Sequence, residues 1–305
     1  MHNNINGKEY FLRRLIIALE ERGVKCRPRQ QKADIDFHFG HRWRNPAARS
    51  RDRLHVIRLD GTGTIYPSTT RILSSSHAAA DGIIYQSQFS KRCCDALLKP
   101  RKSDCKWEVI GNGADPAYYA GVAPISLPRP YNIMTSAKWS EHKRLRDTVE
   151  IFNMVERDDV GFFVTGSTRK TARVGRVNYL PLLDQQTLSR YYRSCNMFLF
   201  LSWIDNCPNN VVEALCAGLW CLVSNEGGTH ELITPGCGHV FHVDSPFPHN
   251  AKISKQAPRI AKEDKLQIAQ YITDNIDCKQ VAVPPHVCID NVADQYKVFF
   301  EQMLS

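Results

Sequence analysis

Short apolar runs alternate with amphipathic segments along most of this chain, a pattern that predicts parallel α/β architecture. Near the start, Phe11, Leu15, Ile16 and Leu19 share one face of a helix running from Glu9 to Arg22, with Gly23 as its stop. Short strands are expected at Leu54–Leu59, Gly82–Gln86 and Trp107–Ile110, each followed by turn residues: Asp60-Gly61, Ser87 and Asn112-Gly113. Pro124 to Pro130 holds three prolines and few packing residues, and it reads as an interdomain linker. A second series then begins, with strands at Tyr131–Ser136, Gly161–Thr165, Met197–Ser202 and Leu219–Ser224. Helices at Leu145–Arg157, Gln185–Ser194 and Pro208–Ala217 alternate with them, and a last amphipathic helix spans Cys288–Leu304. The pattern predicts two α/β halves with a cleft between them, and clefts of that kind bind ligands.

The chain of 305 residues is long enough for about two domains of roughly 100–200 residues each. At 43% hydrophobic and 23% charged it has the balance of a soluble globular protein, and no apolar run approaches the roughly 18–20 residues needed to cross a bilayer. Its opening Met-His-Asn-Asn lacks the pattern of a secretory signal, which predicts a cytoplasmic protein. The eleven cysteines are scattered, odd in number and without a C-x-x-C pair, so reduced structural thiols are expected. His38 and His41 have no cysteine cluster nearby, so no metal site is expected.

Charge changes the picture more. The net charge of +9 comes from the first 130 residues, with 22 Lys/Arg against 12 Asp/Glu, densest from Arg42 to Arg58; the rest has 18 against 19. Charge of this kind speaks to partners rather than to fold. An anionic acceptor or the anionic face of a membrane would suit it. Nucleic acid suits it less, because Trp43 is the only aromatic in the basic stretch and gives little stacking surface. A plainly solvated basic surface is the alternative.

The candidate chemistry lies in Ser202-Trp-Ile-Asp-Asn-Cys-Pro-Asn-Asn-Val-Val-Glu-Ala-Leu-Cys-Ala-Gly218 and in Asn225-Glu-Gly-Gly-Thr-His-Glu231. A strand ends at Ser202 and a polar loop carries Asp205. Pro208 suits a first helical turn and Gly218 a helix stop. Glu213 then falls mid-helix between Val212 and Ala214, where a carboxylate needs partners; a ribose diol could donate two hydrogen bonds to it. At Gly227-Gly228 missing side chains let backbone N–H groups approach a phosphate. Alternatively Glu213 faces solvent and the glycines only turn the chain.

This segment resembles the signature of glycosyltransferase family 4, whose retaining members have the GT-B fold. Asp205 and Glu213 have the spacing of its paired acids, followed by Glu-Ala-x-x-x-Gly and Gly-Gly-x-x-Glu. Upstream, Ser136-Ala-Lys-Trp-Ser-Glu-His-Lys-Arg-Leu145 resembles its diphosphate-holding segment, with Lys138 and Lys143 in the places of the two cations. Lys at 138 keeps the charge but loses the bidentate geometry of the usual Arg. Val56-Ile-Arg-Leu-Asp-Gly61, Asp81 to Ser90 and Val109 to Asp115 resemble family segments in the N-terminal half, in the right order.

The resemblance implies two Rossmann-like domains facing across a cleft. They would be an abbreviated acceptor-side domain over 1–127 and a donor domain over 128–287, with a helix over 288–305 crossing back to the first. Gly7 would mark the place of a glycine loop. It implies a catalytic set of Asp60, Lys143, Asp205 and Glu213, in which Asp60 stands where a His is common. A diphosphate would lie on Lys138, Lys143, Gly227 and Gly228, and the nucleoside on Glu213, Leu180 and Pro181. The donor sugar would contact Asp205, Asn206 and Cys207, with Glu231 supporting the loop. The implied reaction moves a sugar from a nucleoside-diphosphate sugar to a glycan, lipid-linked or other acceptor, with retention of configuration, no metal and no cofactor. In such members the leaving phosphate itself takes the acceptor proton. The rival readings are a degenerate transferase that binds without turnover, a sugar-nucleotide epimerase of the same fold, and an NAD enzyme. Gly111-Asn-Gly-Ala-Asp-Pro116 argues against the last, since Pro116 fills the third-glycine slot and no strand ends in an acid about 20 residues on.

Overall fold

The computed structural model describes residues 7–27, 32–39, 43, 46, 50, 52–61, 67–166, 173–244, 257–278 and 281–305. These residues form two compact units, the first within 7–113 together with Ile289–Ser305, the second within 114–244 and 257–288.

The first unit is built on a four-stranded parallel sheet in simple sequential order: β1 (Ile35–Phe39), β2 (Leu54–Leu59), β3 (Gly82–Tyr85) and β4 (Lys106–Val109). On one face α1 (Gly7–Glu21) packs with α9 (Ile289–Leu304), burying Phe11, Leu15 and Leu19 with Val292, Tyr296 and Phe299. The last helix therefore belongs to the first unit. Gly7 is the first residue of α1 rather than part of a loop. Gly23, at φ +80, ends it as expected. On the other face lie α2 (Pro67–Ala79) and α3 (Gln88–Leu97), and Leu73 and Cys94 pack with Ile57, Ile83 and Tyr85. Strand β1 and helix α2 were not apparent in the apolar pattern.

The second unit has a seven-stranded sheet in the order β11-β10-β9-β5-β6-β8-β7. Its members are β5 (Tyr131–Ala137), β6 (Val160–Gly166), β7 (Arg173–Val174), β8 (Val177–Tyr179), β9 (Met197–Phe200), β10 (Trp220–Ser224) and β11 (Gly238–Phe241). All neighbours are parallel except the small β7–β8 hairpin. Strands β9 and β6 are buried throughout, which is why they read as unbroken apolar runs. Helices α6 (Gln185–Ser194) and α7 (Asn209–Cys216) share one core, and α5 (Leu145–Asn153) and α8 (Lys262–Asn275) share another.

The passage between units falls at Gly113–Ala114 rather than at the proline-rich stretch. That stretch is secured within the second unit: Leu127 packs against the core beside α6, and the Ile125 amide donates to Ser194 Oγ at 2.7 Å. Short α4 (Pro116–Ala120), capped by Asp115, precedes it.

Candidate active site

In an open parallel sheet a ligand crevice forms outside the carboxyl ends of the strands, where the strand order reverses. In the second unit the chain builds outward from β5 through β6 to β8 and then returns to lay β9 on the other side of β5. The reversal therefore lies between β5 and β9. The loops leaving these strands, with the loop leaving β10, carry most of the expected donor residues.

Beyond β5 the chain passes exposed Lys138 and forms a single 3-10 turn at Glu141–Lys143. Beyond β9 it turns through Ser202 to Cys207 before α7. The two loops are tied together. Trp203 N donates to the His142 carbonyl at 2.8 Å, and Ser202 Oγ to the same oxygen at 3.2 Å. Lys143 Nζ makes an ion pair with Asp205 Oδ2 and lies 5.2 Å from the Phe200 ring centroid. Both members of that pair keep solvent access, at 22% and 17% of their side-chain surfaces. Burial, and secondarily Lys143, lowers the pKa of the neighbouring His142 imidazole. Asn210, in the first turn of α7, donates through Nδ2 to the Ser136 carbonyl at the end of β5.

The loop after β10 approaches Asp205 from its backbone side. Gly227 adopts φ +65, and a Cβ there would lie 2.7 Å from Asp205 O and 2.9 Å from Asp205 N. Only glycine fits both the conformation and the space. Gly228 N donates to Asp205 O at 2.6 Å, and Glu231 N to Gly228 O at 3.3 Å within the turn Thr229–Leu232. Glu213 occupies the middle of α7 and is buried. Pro208 is the residue capping α7 rather than its first helical residue, and Gly218 at φ +83 follows the helix end. Leu180 and Pro181 follow β8 at the same end of the sheet. Leu180 N donates to Val164 O at 2.8 Å, and Thr165 Oγ1 donates to Pro181 O at 2.8 Å. Asn206 is half-buried, whereas Cys207 packs into the apolar core with Val211 and Val212, leaving its backbone as the part that could meet a ligand. Three polar atoms of these loops, His142 Nδ1, Thr229 Oγ1 and His230 Nδ1, are buried without a hydrogen-bond partner among the described residues.

Asp60 sits at the end of β2 in the first unit, in a different setting. Gln86 Nε2 donates to its carboxylate, and Arg58 Nη2 lies 3.5 Å away. Arg58 is almost fully buried, donates to Asn112 Oδ1, and lies over the Phe11 and Phe39 rings at 4.1 and 4.6 Å. Asp60, expected in the catalytic set, is thus held beside a buried guanidinium. Much of the basic stretch from Arg42 lies outside the described residues. Within it Arg53 pairs with Asp36 at 3.3 Å, and Trp43 is buried, stacked on His38 and His55. Trp43 is thus closed to nucleobases. Among the described residues no group of three or more His, Cys, Asp or Glu is placed to hold a metal ion, and no helix is long and apolar enough to cross a membrane.

One electrostatic feature of the site escaped sequence reading. Arg144, directly after Lys143, has φ +52 and a buried side chain whose Nη1 meets Glu226 Oε2 at 2.7 Å. Burial lowers the pKa of this guanidinium, with Glu226 opposing the shift. The partners are 82 residues apart, so no local pattern reveals them.

Residues 130–252 match the family described as Glycosyl transferases group 1. The solved structures agree on architecture. Sucrose-phosphate synthase from Thermosynechococcus elongatus superposes with a TM-score of 0.62 at 12% identity, over 98% of this chain and 80% of that one. AviGT4, a glycosyltransferase involved in avilamycin A biosynthesis, gives 0.62 at 14%, over 99% and 91%. Anabaena HepE in complex with UDP and glucose gives 0.56 at 15%, over 83% and 71%. The fold is GT-B. Comparison with curated proteins by sequence finds no match. The family match, lying in the unit with the candidate site, supports a glycosyltransferase.

Proposed function

We propose that the protein takes a sugar from a nucleoside-diphosphate donor bound by its second unit and passes it, with retention and without a metal, to a glycan, lipid-linked or other acceptor. The observation that carries this reading is the meeting of Lys143, Asp205 and the Gly227–Gly228 backbone at the strand-order reversal. A diphosphate entering there competes with Asp205 for Lys143. Once Lys143 turns to the phosphate, Asp205 is released to accept hydrogen bonds from sugar hydroxyls, with Asn206 and the Cys207 backbone beside it. Lys138 adds a second cation, and Glu213 receives the ribose diol. The base lies along Leu180–Pro181, and Glu231 supports the glycine loop. Charge developing on the leaving diphosphate is met by fixed cations, the main catalytic contribution in such a site. The leaving phosphate takes the acceptor proton. The basic excess of the N-terminal half draws an anionic acceptor, or the anionic inner face of a membrane, toward the enzyme.

The test is a panel of UDP-, GDP- and ADP-sugars with released nucleotide measured, UDP-glucose first because HepE is solved with UDP and glucose. Release of one nucleoside diphosphate, undiminished by EDTA and giving a retained anomer, is expected. No binding of any donor sinks the proposal, and an inverted product or EDTA sensitivity removes its mechanism. Binding without release would favour a second reading, a nucleotide-sugar-binding protein without turnover. The engagement of Asp60 by Arg58 and Gln86 is the observation on its side.

A further inference from the structure

Arg144 is the one non-glycine residue at positive φ among those described. An L side chain rarely adopts that conformation unless its surroundings impose it. Here they do. The Arg144 guanidinium is enclosed, Nη1 bonding to Glu226 and Nε donating to the Pro258 carbonyl at 3.1 Å, while the Arg144 carbonyl accepts from Thr148 N and Oγ1 at 3.0 and 2.9 Å. On either side of this anchor stand the groups assigned to the donor: Lys143 precedes Arg144, and Gly227 follows Glu226.

We infer that the Arg144–Glu226 pair is a positioning device that sets the loop carrying Lys143 against the Gly227–Gly228 backbone. The inference rests on the reading of this unit as a donor site. Three links close a ring around the crevice. Lys143 reaches Asp205 from the β5 loop, the Gly228 amide reaches the Asp205 carbonyl from the β10 loop, and Arg144 joins the β5 loop to the β10 loop. The first two links leave groups that a ligand could use. The third is buried and offers a ligand nothing, so its effect passes through its neighbours. Removing it frees the Gly227–Gly228 amides from their register with Lys143 even where the sheet is intact. A buried ion pair can often be replaced by apolar side chains of similar volume without loss of stability, whereas removing one partner strands the other charge. That difference separates positioning from mere support.

The experiment compares the unaltered protein with R144M/E226M, R144K and the control R157M, which breaks the ion pair with Asp159 just before β6, at the end of the sheet opposite the glycine loop. Hydrogen exchange is followed in peptides covering 139–145 and 225–232, along with melting temperature and UDP, GDP and ADP affinity. In R144M/E226M a melting temperature within a few degrees of the unaltered protein is expected. Exchange at Gly227–Gly228 should be at least tenfold faster, and affinity for the bound nucleotide at least tenfold weaker. R144K, which keeps the charge, should recover most of the protection, and R157M should leave it unchanged. A double variant with recovered stability and unchanged exchange overturns the inference, leaving the pair as support only. If no nucleotide protects either peptide in the unaltered protein, the donor-site reading itself falls, while the exchange comparison still decides whether the pair orders the loops.

Discussion

Asp60 and Asp205 are both carboxylates just beyond a strand of a parallel sheet, and both meet a cation. In the first unit Asp60 faces Arg58 with 4% and 1% of their side chains exposed, while Gln86 donates to Asp60 and Arg58 donates to Asn112. In the second, Asp205 and Lys143 remain 17% and 22% exposed, and the backbone beside them is glycine. The strand orders differ in the same sense. Among the described residues the first sheet runs sequentially without a reversal, whereas the second reverses between β5 and β9. An enclosed pair with every strand end contributing to it is architecture. On the proposed reading, the open pair at a reversal, with flanking side chains absent, is the one that takes a ligand.

The largest effect expected from this contrast is at Glu213. A buried carboxylate holding a diol makes two charge-assisted hydrogen bonds, each worth about 1.5–3 kcal/mol. Glu213→Ala should therefore lower kcat/KM for the donor by roughly a hundredfold to ten-thousandfold while the protein still folds, because alanine suits a helix interior. Steady-state kinetics with the donor found in the panel checks this, and near-normal activity would remove Glu213 from the site. Next is Lys143→Met, which takes one fixed cation from the leaving group. A fall in kcat of roughly a hundred- to a thousandfold is expected, on the scale seen for single charge-stabilising donors. Melting temperature should change little, since a pair that keeps solvent access contributes about 0–1 kcal/mol. If Lys143→Met loses stability and keeps kcat, the two units are alike after all.

Asp60 inverts that expectation. Asp60→Ala leaves Arg58 buried without its carboxylate, a change that costs about 3–5 kcal/mol. The first unit should melt on the order of 10 °C lower, from the usual scaling of Tm with stability. Asp60→Asn keeps an oxygen for Gln86 and should be milder. A full-strength melt with abolished turnover in Asp60→Asn would return Asp60 to the chemistry implied by the family resemblance.

What could be read from the sequence divides along physical lines. The segment β9–α7–β10 was legible because strands buried on both faces are unbroken apolar runs and because glycines and acids at fixed spacing mark the loops between them. Strand β1, Ile35-Asp-Phe-His-Phe39, was not, since it is short and half-buried with charged and apolar positions alternating. Helix α2 was hidden by its Ser- and Thr-rich sequence and is held instead by tertiary contacts, with Leu73 in the core and Ser76 Oγ donating to the Trp43 carbonyl at 2.9 Å. Helix α8 is polar on most faces and is fixed by Ile268, Ala269 and Ile272. In the site, residues set by local spacing were visible. The Arg144–Glu226 pair and the reach of Gln86 to Asp60 depend on side chains meeting across the fold, and nothing local encodes them; the Arg58–Asp60 contact is between near neighbours in the chain, but its burial is set by the fold.

The smallest effect tests whether exposed ion pairs in the second unit stabilise at all, the point on which the contrast between open and enclosed pairs depends. Glu150 on α5 accepts from Lys265 at 2.7 Å and Arg259 at 2.5 Å, and these bonds, Lys265 first, lower its pKa from 4.5 to about 2 against a smaller opposing effect of burial. A carboxylate held lower in the folded protein than in the unfolded chain adds stability that is fully present above about 4.5 and is lost as pH falls through about 2. Glu150→Gln should melt slightly below the unaltered protein at pH 7, and the gap should close between about 4.5 and about 2. With about a third of the Glu150 side chain exposed, salt screens the pair, so the gap at pH 7 should also narrow as ionic strength rises. A gap that persists at pH 2 would assign the loss in Glu150→Gln to packing rather than charge. The Lys143–Asp205 pair, comparably open, would then have no electrostatic benchmark within its own unit.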